Sequence, residues 1–243
     1  DGTGMMDTGG DDLPTGGDTE PQDPGGAVAI AASREVDLLF VIDNSGSMAE
    51  EQALLAKNMA ALIGVLEAPD VRADYRIGVT TTDSGNPRCP SALTTPEGGN
   101  LVLSSCVDRV DQGEFEFNAA NFSFACTDFC GKRDSDLQVL GTATAVDPNK
   151  VPRKWVERSG GALNIGGVAD AVEALQCYLP QGVAGCGFES HLESMYLTLA
   201  GSQSQQSKNN YGFLRETSQL AVVIVSDETD CSYSPAFKEI FTI

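Results

Sequence analysis

Asp43, Ser45 and Ser47 alternate with Asn44 and Gly46 in one short stretch, so a single turn aims a carboxylate and two hydroxyls at a common point. Gly46 allows the backbone to bend tightly there. Hard oxygen donors converging in this way suit a hard divalent cation, Mg²⁺ first, with Mn²⁺ and Ca²⁺ as the other candidates. A second carboxylate, Asp227, closes another apolar run, and a third, Asp83, follows Thr80-Thr81-Thr82. Asp83 reads more simply as the start of the turn Ser84-Gly85-Asn86-Pro87 than as a ligand.

The elements that position these groups follow from apolar patterning. Residues 36–42 form a nearly continuous β-branched and aromatic run, the mark of a strand buried on both faces in a parallel sheet. Ser47-Met48-Ala49-Glu50 has the form of a capping box, and Leu55, Met59, Leu62 and Leu66 recur at helical spacing, so a helix of four to five turns ends before Pro69. A second strand spans 75–83, and residues 220–225 form another fully buried strand ending in Asp227. In an open parallel sheet, ligands bind beyond the carboxyl ends of the strands where the winding reverses, and Asp43 and Asp227 meet there.

Between these elements, residues 84–160 are loop-rich and too long for an ordinary connection, which predicts a disulfide-braced insertion, with Trp155 either anchoring it to the core, the default for a single Trp, or sitting in a binding surface. Ile165, Val168, Val172 and Leu175 predict a helix over 164–179. A third helix opens in residues 185–193, with Leu192, Tyr196 and Leu199 on its apolar face. Residues 1–28 are rich in Asp and Gly with almost nothing large to bury, a solvated acidic tether, and 29–243 make one domain.

The formal net charge of −20 repels nucleic acid and anionic membrane surfaces and attracts divalent cations and basic partners. No run approaches the roughly 18 apolar residues of a membrane span. Seven cysteines with no CxxC pair and a single histidine argue against structural zinc and for disulfides, hence an oxidising compartment. Sequence proximity suggests Cys89 with Cys106, Cys126 with Cys130 and Cys177 with Cys186, leaving Cys231 over. An exposed edge at 220–225 and the odd Cys231 predict that the native chain continues past Ile243.

Strand, Asp43-x-Ser45-x-Ser47 turn and amphipathic helix together resemble a von Willebrand factor type A domain, in its secreted or lipid-anchored bacterial form. The likeness covers 36–82 and 185–230, with the middle as an insertion. It implies an α/β fold with a doubly wound, mostly parallel, Rossmann-like sheet, and a metal-ion-dependent adhesion site. Asp43, Ser45, Ser47 and Asp227 match that site's pattern. Where the family places a threonine, this chain has Gly187-Phe188-Glu189, and Glu189 either supplies a carboxylate to the cation or favours the positive end of its helix.

The resemblance implies a binding module of the cell surface, periplasm or medium rather than an enzyme. Its cation keeps an open position for an acidic side chain of a protein partner, and a lipid anchor, where there is one, lies upstream of the tether. A structural domain without metal is the first alternative. A metal-assisted hydrolase is the second, and it needs His191, the only histidine, as a base beside the cation. A histidine on the first turn of a helix is expected at the surface.

Overall fold

The computed structural model describes residues 34–89 and 94–241. These belong to one compact unit, while the tether of residues 1–28 lies outside them. In chain order the elements open with β1 (Glu35–Ile42), α1 (Ala49–Leu66) and β2 (Asp74–Thr81). The middle holds α2 (Cys106–Asp111), β3 (Glu116–Phe117), β4 (Ala120–Asn121), α3 (Phe124–Thr127), β5 (Gln138–Val139), β6 (Gly141–Thr142) and β7 (Val151–Pro152). Then come β8 (Trp155–Ser159), β9 (Ala162–Leu163), β10 (Ile165–Gly166), α4 (Ala171–Tyr178), α5 (His191–Ser202) and β11 (Gln219–Val225), followed by a 3₁₀ segment, Pro235–Phe241.

The central sheet has the order β11-β1-β2-β8-β9. β1 runs parallel to both β11 and β2, whereas β2 with β8 and β8 with β9 are antiparallel. The result is a mixed α/β sheet whose parallel part is confined to three strands. Period-two alternation along β1 separates two cores. Leu38, Phe40 and Ile42 pack with Met59, Ile63 and Leu66 of α1 and with Ala174 and Leu175 of α4. Leu39 and Val41 face the other way, towards Trp155, Phe213 and, on α5, Met195 and Leu199. Trp155 is fully buried with its ring edge-on to Phe213, so it is a core anchor as expected.

Several local expectations are corrected. α1 has no side-chain cap; Met48 is its N-cap residue, and the Ser47 hydroxyl points elsewhere. The helix placed at 164–179 starts only at Ala171, because Ile165–Gly166 pairs with β5 and Gly167 has φ +81°. Asp170 is its true N-cap, accepting from the Glu173 N–H at 2.9 Å. β11 is no buried strand: among the described residues it is an edge, with Leu220 and Ile224 about two-fifths exposed.

The cysteines pair as Cys89–Cys186, Cys106–Cys126 and Cys130–Cys177, and Cys231 is free. Pairing by sequence proximity fails because neighbouring cysteines face different elements. Cys126 on α3 meets α2, while Cys130, just past the same helix, meets α4. No helix of the described residues is long and apolar enough to cross a membrane.

Candidate functional site

β1 has β2 on one side and β11 on the other, all three parallel, so the crevice at their carboxyl ends is a topological switch point. The ladder between β1 and β11 continues one residue beyond β1, with Asp43 N–H donating to the Val225 carbonyl at 2.9 Å. That register sets Asp43 beside Ser226 and Asp227. The Ser226 hydroxyl donates to Asp43 Oδ2 at 2.6 Å, and the Ser45 N–H donates to Oδ1 at 2.8 Å. The Ser47 hydroxyl donates to Asp227 Oδ1 at 3.2 Å. Thus Asp43, Ser45, Ser47 and Asp227 lie at one rim.

Gln52 on α1 holds this turn from below, donating to the carbonyls of Asp43 (2.9 Å) and Gly182 (2.7 Å) and accepting from the Gln181 N–H (2.8 Å). Above it, a Cβ on Gly46 would sit 2.3 Å from the Phe117 ring, so glycine lets the β3–β4 hairpin lie on the turn without displacing that ring. Gly185 is required for the same reason: its Cβ would meet Asn44 Oδ1 at 2.3 Å, where its N–H donates to the Asn44 carbonyl (2.7 Å).

Glu189 joins the cluster from the far side. It is fully buried, and its Oε2 accepts from the Thr82 hydroxyl at the end of β2. Its backbone is pinned on both sides: the Cys231 N–H donates to the Glu189 carbonyl (2.6 Å), and the Ser190 N–H donates to the Thr82 carbonyl (3.0 Å). Burial first, and the nearby Asp43 carboxylate second, push the Glu189 carboxyl up to about 8. The Thr82 hydroxyl opposes that rise, while Asp83 and Glu228 add to it. Thr82 is the site residue that residue-by-residue reading missed. The signal for it was the Thr80-Thr81-Thr82 run, three hydroxyls at a strand end.

Several buried side-chain oxygens in this region have no partner, Asn44 Oδ1 and Ser190 Oγ among them. Ser45 Oγ and Glu189 Oε1 are buried and make no hydrogen bond. A buried, unbonded oxygen is costly, and Ser45 Oγ and Glu189 Oε1 lie in an acidic corner. None of Asp43, Asp83, Glu189 or Asp227 forms an ion pair with a basic side chain of the described residues. Among those residues no three His, Cys, Asp or Glu side chains converge as a ready ion site.

Asp83 keeps the turn role expected of it: Oδ1 accepts from the Gly85 N–H (2.9 Å) and Oδ2 from the Cys186 N–H (3.3 Å). His191 is not the surface residue expected; it is 5 % exposed, with Nδ1 3.4 Å from Asp230 Oδ1 and Nε2 unbonded. The Cys89–Cys186 bridge ties the loop after β2 to the loop that leads into Glu189. Comparison with known proteins finds no matching family model, no matching curated protein and no matching solved structure.

Proposed function

We propose that this chain is a von Willebrand factor type A-like binding module that holds a divalent cation at the carboxyl end of β1 and β11 and offers it to an acidic side chain of a protein partner. Asp43, Asp227 and Glu189 supply negative charge to the cation, and Ser45 and Ser47 supply hydroxyl oxygens. Once bound, the cation supplies a positive charge that offsets the mutual repulsion of the carboxylates and a coordination position open to a partner carboxylate. Mg²⁺ suits a site with few protein donors because it retains water, and Mn²⁺ and Ca²⁺ are the alternatives. Recognition outside the cytoplasm, at the cell surface or in the periplasm, fits three disulfides.

The observation that carries the reading is the buried acidic corner without a basic neighbour, in which Ser45 Oγ and Glu189 Oε1 lack partners. One further observation favours the metal-free alternative. A Glu189 carboxyl that holds its proton, paired with Thr82, keeps the corner together without an ion.

Thermal melts decide between them. Under the cation reading, the melting temperature rises when Mg²⁺, Mn²⁺ or Ca²⁺ replaces EDTA, by about 2.7 kcal/mol of stability at a hundred times the dissociation constant. Asp43→Ala keeps the fold and loses that rise. A melt indifferent to all three cations, or an Asp43→Ala variant that responds as the parent does, rejects the cation site.

A further inference from the structure

The amino ends of β1 and β2, opposite the acidic crevice, carry the contrary charge. Arg34 precedes β1, Arg72 precedes β2, and Arg158 stands near the end of β8, in register with Tyr75 of β2. With Glu67 and Asp74 they line one hollow of about 550 Å³, so three guanidiniums face two carboxylates in a chain whose net charge is −20. Both acids are engaged within the protein. Glu67 Oε1 accepts from the Tyr75 hydroxyl (2.9 Å) and stands 3.2 Å from Arg158 Nε, and Asp74 Oδ1 accepts from the Gly160 N–H (2.8 Å). Arg34 and Arg72 form no ion pair with a described residue.

Arg72 is held there against backbone preference. It closes the turn after α1 with φ +47°, its N–H donating to the Ala68 carbonyl (2.9 Å), in a left-handed position that glycine fills without strain. Backbone strain of this kind gathers at functional sites, and here it fixes an exposed guanidinium beside two others. Beyond Arg158 the surface changes character. A second hollow of about 290 Å³ shares Glu67, Arg158 and Gly161 with the first and is walled by Leu163, Ile165 and Val168. A basic basin thus adjoins an apolar trough, with Arg158 on the boundary.

We propose that the two hollows together bind a small amphiphilic phosphate, a monoester whose head is held by Arg34, Arg72 and Arg158 and whose short apolar tail lies along Leu163 and Val168. Guanidinium forks match the geometry of phosphate oxygens, and the positive excess of the basin matches the charge of the head. The trough adds affinity by removing the tail from water. The negative charge of the whole chain opposes an anion at long range and leaves selection to these contacts at close quarters. The site lies at the other end of β1 from Asp43 and does not depend on the cation reading.

The test is calorimetric titration of the whole 243-residue chain in EDTA with hexyl phosphate, inorganic phosphate and hexanol. Hexyl phosphate binds about tenfold or more tighter than either of the others, which carry only its head or its tail. Arg34→Gln and Arg72→Gly each weaken it about tenfold, and Arg72→Gly leaves the melting temperature of the free chain unchanged or higher, because glycine relieves the left-handed turn. Val168→Ser narrows the advantage of hexyl phosphate over inorganic phosphate. Vesicles containing phosphatidic acid identify the source of the head: sedimentation with them that Arg34→Gln abolishes assigns it to a lipid, its absence assigns it to a free ester, and both accord with the site. Two results overturn the proposal: hexyl phosphate that binds no tighter than hexanol or inorganic phosphate, and binding that both arginine variants keep. A melting temperature lowered by Arg72→Gly overturns the role given to Arg72, and Arg34→Gln still decides the site.

Discussion

Asp37 and Asp43 lie near opposite ends of the same strand, and neither side chain is exposed to solvent. At the amino end Asp37 is fully accommodated. It accepts from the Arg215 backbone N–H (2.7 Å), Arg215 Nε (2.9 Å) and the Ser218 hydroxyl (2.5 Å), and Arg215 Nη2 stands 2.7 Å away. At the carboxyl end Asp43 meets a hydroxyl and a backbone amide, with the Glu189 carboxyl close by and no basic side chain. Burying a charge requires an opposite charge or a full set of hydrogen bonds. The chain supplies that balance internally at one end of β1 and leaves it to the surroundings at the other. This asymmetry sets the two carboxylates of one strand apart.

The contrast can be broken most forcefully at the satisfied end. Arg215→Met strands Asp37 as a buried charge and lowers stability by about 3–5 kcal/mol in urea denaturation. A loss below about 1 kcal/mol means that Asp37 does not rely on Arg215 and the comparison fails.

An intermediate effect is expected from pH at the open end. In EDTA, folded Glu189 keeps its proton to about 8, whereas the unfolded chain releases it near 4.5. Between those values the folded state binds more protons, so metal-free stability falls as pH rises, by at most about 1.4 kcal/mol per unit, and levels off above the folded value. Glu189→Gln removes this part of the slope. Melts of the two proteins in EDTA with identical pH profiles assign the slope to other groups.

The smallest effect sharpens the comparison. Ser45→Ala deletes an unbonded buried hydroxyl, so stability in EDTA changes by no more than about 0.5 kcal/mol or rises slightly. The cation-dependent rise in melting temperature shrinks in the same variant. A clear loss of stability in EDTA shows that the hydroxyl serves the fold and not the site.

Much of the parallel half of the sheet was legible in the sequence. The run from Val36 to Ile42 is apolar apart from Asp37 because both faces of β1 are covered, and that pattern has few other causes. The 220–225 run misled because an edge strand and a central one share the same letters; only pairing tells them apart. Spacing alone drew a helix through Gly166 and Gly167, although Asp170-x-x-Glu173, a capping pair, marked the true start four residues later than the glycines suggest a break. The Ser47-x-x-Glu50 pattern looked the same and proved empty, because the Ser47 hydroxyl turns to Asp227.

At the site, the convergence of Asp43 with Asp227 followed from two strands ending in acid, and their pairing places them together. The contact between Thr82 and Glu189 joins residues far apart in sequence, and the threonine run at the end of β2 marks only one side of it. Disulfide partners are hidden for the same reason: they are fixed by which helices and loops pack together, and chain distance says little about that.

The Cys89–Cys186 bridge reaches across two walls of the acidic crevice at once, one beyond Asp83 and the other just ahead of Glu189. Closing this bond is therefore a step in assembling the crevice as well as in bracing the fold. Reduction of this one crosslink is expected to free the spacing between the crevice walls, while β1, β2 and β11 stay joined by their own ladders.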